Sequence, residues 1–156
     1  MKSKKSKDYI YQENDNSLIA NEPDVSYGRS VNNPQFQLIN QIQSGISFNS
    51  FAAIAKQSPF SIAEWASFLH ITDRTILRYK IDNKSFEGIY AEKILELDAF
   101  IAKGLDTFQT KDRFYQWLTS HNMSLGGYKP LELLRTSVGI EMITQELVRI
   151  DYGILA

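Results

Sequence analysis

The chain has 156 residues and a formal net charge of −1, with 43% hydrophobic and 22% charged residues and no cysteine. A chain of this length buries roughly 70% of its unfolded surface and builds a core without staples; the lack of cysteine excludes disulfide frameworks, zinc ribbons and thiol catalysis. Only two histidines, His70 and His121, are present, and no apolar run is long enough for a membrane span. The basic amino terminus lacks the apolar stretch of a signal peptide, so a cytoplasmic location and no membrane partner are expected.

Residues 1–33 are polar, with apolar residues that follow no period, and read as a disordered tail. Regular structure begins at Pro34, which suits the first turn of a helix. Phe36, Ile39 and Ile42 recur three apart, and Gly45 sits where that helix would stop. A second helix is expected over 49–57, with Phe51, Ile54 and Ala55 on one face. Ser61 and Glu64 form a capping-box pair, opening a helix with Ile62, Trp65, Ala66 and Leu69 inward. Thr72 then caps a helix running from Asp73 to about Lys80.

A long helix is expected from about Ile89 to Lys103, with Gly104 ending it. The acidic residues in and just before it, Glu87, Glu92, Glu96 and Asp98, read as a solvated face. From Thr110, the stripe Phe114, Trp117 and Leu118 marks another helix ending near His121, whose ring is expected to meet the last carbonyls. Gly126 and Gly127 give a tight turn, and Pro130 starts a short helix burying Leu131, Leu133 and Leu134. The last helix is expected over 141–149, with Met142, Ile143, Leu147 and Ile150 following its period. No segment shows strand alternation, so the fold class is all-α. The expected domains are a tail at 1–33, a first helical domain at 34–105 and a second at 106–156.

Five positions within fourteen residues satisfy the steric needs of a helix-turn-helix. Ala66 is the small residue at the crossing, His70 occupies the turn, and Ile71, Ile76 and Tyr79 fall at core offsets. Histidine is among the non-glycine residues enriched at positive φ. The outward face then presents Thr72, Asp73, Arg74, Thr75 and Arg78, with Lys80 and Lys84 beyond. Arginine pairs bidentately with guanine, while hydroxyls and ammonium groups hold phosphates. Residues 45–84 carry five basic and three acidic residues, net +2, the only positive excess in the part expected to fold. The candidate DNA-binding residues are Thr72, Arg74, Thr75, Arg78, Lys80 and Lys84. One such unit offers few contacts, which calls for a dimer reading two half-sites.

The carboxyl-terminal third carries a more specific pattern: Phe114, Trp117 and Leu118, then Leu125, Gly126, Gly127, Pro130, Leu131, Leu133, Leu134 and Thr136, then Val138, Gly139, Leu147, Ile150, Tyr152 and Gly153. This pattern resembles the antitoxin family of RES–Xre toxin–antitoxin modules, to which the ParS and MbcA antitoxins belong, and the resemblance spans roughly residues 34–156. It implies an Xre-like helix-turn-helix bundle followed by a compact helical toxin-binding domain. It also implies a homodimer that represses its own operon and neutralises an NAD⁺-consuming RES-domain toxin by covering the toxin's active site with its carboxyl-terminal end. The matching positions are Tyr152, Gly153, Ile154, Leu155 and Ala156. An apolar end with a free carboxylate suits a pocket that normally holds a phosphate-bearing cofactor.

The glycine-rich loop at 125–130 lacks both the preceding strand and the Gly-x-Gly spacing of a phosphate cradle. No nucleophile with a positioned base and no metal set stands out. The expectation is therefore a non-enzymatic protein without a cofactor, with a stand-alone dimeric helix-turn-helix repressor as the alternative.

Overall fold

The computed structural model describes residues 33–153, and the tail expected at 1–33 lies outside them apart from Asn33. Six of the eight helices of the described residues start where a short polar side chain takes up free backbone donors. Asn33 Oδ1 accepts the Gln35 N–H at 2.9 Å and opens α1 (Pro34–Ser44). Ser47 caps α2 (Phe48–Gln57), and Ser61 with Glu64 closes the capping box of α3 (Ile62–Phe68). Thr72 caps α4 (Asp73–Ile81). After α5 (Ile89–Phe108), Thr110 caps α6 (Lys111–Thr119), and a single 3₁₀ turn at Met123–Leu125 leads to α7 (Pro130–Leu133). Thr136 caps α8 (Ser137–Asp151), four residues earlier than the apolar period alone indicates. The described residues are all-α apart from one antiparallel bridge of two-residue strands, β1 (Ile46–Ser47) and β2 (Ser85–Phe86). Strands this short have no room to alternate, so the sequence carried no signal for them.

One continuous core joins α2–α8, and α1 contributes no residue to it. Around α2–α4 it is aromatic. The Phe51 ring meets Trp65 edge-on at 5.2 Å and lies 4.9 Å from Phe86, which in turn lies 4.7 Å from Tyr79. The Trp65 indole N–H donates to Ser58 Oγ at 3.1 Å, and that hydroxyl donates to the Ala55 carbonyl at 2.8 Å, so the buried polar groups are satisfied. Burying each such ring stabilises by about 1.5–3 kcal/mol. Along α5, Ala91, Ile94, Leu97, Phe100, Ile101 and Gly104 are all buried, and α8 docks its Ile143 and Leu147 against this helix.

Several expected features are corrected. Gly104 does not end the long helix. α5 continues to Phe108 and closes on Gln109 at φ 66°, while Gly104 provides the space in which the Phe114 ring packs. Ile62, Phe36 and Ile39, read as one-sided from their period, are exposed, as is Met142. The His121 Nδ1–H donates to the Gly127 carbonyl at 2.8 Å across the following loop, not to its own helix. Gly126 and Gly127, expected to permit both a tight turn and close helix packing, take positive φ, 68° and 83°, with no close neighbour, so the turn alone requires glycine there. The acidic face of α5 is not uniformly solvated: Glu96 accepts from Lys93 at 3.2 Å and from Ser137 at 3.0 Å, and burial pushes the half-buried Asp98 carboxyl above its ordinary value.

Candidate functional site

Two surfaces stand out. The first is built by the turn between α3 and α4. Leu69 ends α3, His70 follows at φ 55°, and the Ile71 N–H reaches back to the Ala66 carbonyl at 3.0 Å while the His70 N–H meets Ser67 at 3.3 Å. This pair of bonds is a Schellman closure with histidine in the place usually held by glycine. Ala66 and Ile76 are buried beneath the crossing, with Ile71 and Tyr79 half-buried beside them. The five positions that the helix spacing singled out are therefore the ones that shape the turn.

With Ile76 and Tyr79 inward, the opposite face of α4 carries Arg74, Leu77, Arg78 and Ile81 around one shallow groove that Thr72 and Thr75 complete. The hydroxyls of Thr72 and Thr75 lie 2.9 Å apart and serve the helix cap, since Thr72 Oγ1 also accepts the Thr75 N–H. Asp73 turns its carboxylate onto the Arg74 N–H at 2.9 Å. Among the described residues, Arg74, Arg78 and Lys80 make no ion pair, whereas Lys84 lies 3.6 Å from Asp82. Leu77, 53% exposed, and Ile81, 81% exposed, were not among the expected site residues. A helical step of about 100° places Leu77 well off the inward Ile76–Tyr79 direction, so the spacing carried a signal for its exposure.

The second surface is the outer side and end of α8. Val138 and Met142, and Val148 and Tyr152, form two exposed apolar pairs at i, i+4. Lys103 on α5 holds the helix end through its hydrogen bond to Asp151. That bond pulls the Asp151 carboxyl below its ordinary value and raises the Lys103 ammonium. Beyond it, Tyr152 is 78% exposed and Gly153 turns the chain at φ 69°. Of the expected toxin-contacting residues, Ile154, Leu155 and Ala156 lie outside the described residues.

Two contacts link the helices on either side of α5. The His70 Nε2–H donates to the Arg135 carbonyl at 3.1 Å, between the α3–α4 turn and the start of α8. The Tyr115 hydroxyl on α6 donates to Glu64 Oε1 at 2.9 Å, and this bond, with partial burial, raises its pKa. Among the described residues no cluster of His, Asp or Glu could hold a metal ion, and no helix is long and apolar enough to cross a membrane.

The described residues thus form an all-α bundle with a tight α3–α4 turn and an exposed side on its final helix. Residues 103–153 match the family model of the antitoxin Xre/MbcA/ParS C-terminal toxin-binding domain. The fold is similar to a chain of the crystal structure of the M. tuberculosis MbcT–MbcA toxin–antitoxin complex, with a TM-score of 0.56 at 16% identity over 70% of this chain and 96% of that one. No curated protein matches the sequence. The carboxyl-terminal third is thus similar to a toxin-binding domain of antitoxins.

Proposed function

We propose that this antitoxin neutralises an NAD⁺-consuming RES-domain toxin by covering the toxin's active site with residues 152–156, and that it binds operator DNA as a homodimer to repress its own module. The observation that carries the first activity is the end of α8. A toxin-binding domain finishes in an exposed tyrosine and a glycine turn, with apolar residues following in the sequence and a held helix behind them. The observation that supports the second is the basic outward face of α4, free of ion pairs at Arg74, Arg78 and Lys80 among the described residues. Residues 34–105 form the DNA-reading half and 106–156 the toxin-binding half in this reading. The two share α5, which runs through the boundary between them. The protein acts by binding and performs no catalysis.

The test is cellular NAD⁺ after expression of the reading frame beside this gene. NAD⁺ is expected to collapse when that frame is expressed alone and to recover when this chain is co-expressed. Unchanged NAD⁺ would leave the stand-alone dimeric repressor as the reading.

For the DNA-binding half, Arg74→Ala and Arg78→Ala are each expected to weaken operator binding about tenfold or more, as loss of a bidentate base contact does. Both side chains are exposed, so the helical circular dichroism should not change. Electrophoretic mobility shifts at fixed salt read the effect, and operator affinity equal to wild type in both variants would remove this face from DNA recognition.

A further inference from the structure

We propose that Leu77 is a base-reading residue that contacts the C5-methyl group of a thymine in the major groove of the operator. The inference rests on the DNA-binding reading above and deepens it. Leu77 is 53% exposed at the middle of α4, on the face it shares with Arg74, Arg78 and Ile81. A single exposed leucine is ordinary. This one differs in its surroundings, because Arg74 and Arg78 flank the short apolar strip that it forms with Ile81.

Charge complementarity selects the occupant. The side chains bordering Leu77 on this face include two guanidinium groups that make no ion pair among the described residues, and Lys80 follows on the same helix. A phosphate-lined groove is the surface that satisfies them. The major groove accepts one α-helix, and the one apolar feature on its base edges is the thymine methyl. An isobutyl group cannot hydrogen-bond. Set against a guanine or adenine edge, it would strip water from acceptors and leave them unpaired, at a cost of about 1–3 kcal/mol. Set against a thymine methyl, it buries apolar surface on both sides. Leu77 therefore both favours thymine and penalises the other bases at that position, while the flanking arginines read guanine N7 and O6. Ile81, one turn on, continues the apolar strip toward the helix end.

The experiment uses the full-length protein and a duplex selected by it from a random-sequence library. Each thymine of that duplex is then replaced singly by deoxyuridine, which lacks only the methyl group. At one position per half-site, deoxyuridine is expected to weaken wild-type binding about fourfold, the ordinary worth of one buried methyl group. The same replacement should leave Leu77→Ala affinity unchanged, while every other thymine behaves alike in the two proteins. Alanine favours the helix and the site is exposed, so the variant folds; its melting curve verifies this. An identical deoxyuridine pattern in wild type and Leu77→Ala overturns the assignment, as does a variant that loses toxin binding while keeping full DNA affinity. If the wild-type protein enriches no sequence at all, the DNA-binding reading falls, and this inference falls with it.

Discussion

Gly139→Ala is expected to destabilise the protein by about 2 kcal/mol net and to lower its Tm by roughly 5–10 °C. On helix propensity alone the substitution should help, since alanine is favoured over glycine by about 1 kcal/mol in a helix interior. The packing decides the sign. Gly139 lies in the first turn of α8, where its N–H donates to Thr136 Oγ1 at 3.0 Å, and a Cβ there would overlap the carbonyl oxygen and carbon of Leu133 as well as that same Oγ1. The first two atoms are backbone and cannot rotate away. Relief requires moving α7 off α8, which disturbs Leu134, Ile140 and Ile143, all buried. Overpacking of this kind costs about 1–3 kcal/mol and occasionally more. Because the obstruction is backbone, the upper end applies and exceeds the propensity gain. A thermal melt with Tm equal to or above wild type would refute the close approach of α7 to α8.

That glycine illustrates what the sequence could and could not disclose. A glycine in a helical pattern marks a stop, a bend or a close approach, and composition does not separate them. Gly104 was read as a stop because a polar turn follows it, yet α5 runs one turn further and the Phe114 ring fills the space that the missing side chain leaves. The last helix was expected to start at 141, after Gly139 or Ser137, and both lie within it. Capping residues were more legible, since Ser61 and Thr72 act through bonds three residues away and need no tertiary partner. Apolar periodicity gave faces but not their covering. Phe36, Ile39 and Ile62 keep helical spacing and remain exposed, because a period reports which side of a helix is apolar and nothing about what lies opposite. The α3–α4 turn was legible for the opposite reason: Ala66, His70, Ile71, Ile76 and Tyr79 constrain one another over a short span. At the site itself, charge drew attention to Arg74 and Arg78, while Leu77, between them in the chain, carries no charge to mark it.

Deleting residues 152–156 is expected to abolish neutralisation while leaving the fold in place. The structural cost is small. Within the described part of that segment, Tyr152 and Gly153 are exposed and bond only to the last turn of α8, through their N–H groups to the Val148 carbonyl at 3.1 Å and the Ile150 carbonyl at 2.9 Å. Water replaces these donors at an exposed helix end, so stability should change by no more than about 0.5 kcal/mol. Lys103 and Asp151 both survive the deletion and continue to tie α8 to α5. The functional cost is large if the segment occupies the toxin's active site, since the remaining antitoxin surface then leaves that site open to substrate. Cells expressing the toxin with the truncated antitoxin should lose viability as cells without antitoxin do, and purified toxin should regain its full NAD⁺-consuming rate in the truncated antitoxin's presence. Binding can persist through Val138, Met142 and Val148, which stay exposed on α8. Retained binding with lost protection would separate docking by the helix from inhibition by the end segment. A truncated chain that protects cells as well as the intact one would place the inhibitory contact on the outer side of α8 instead.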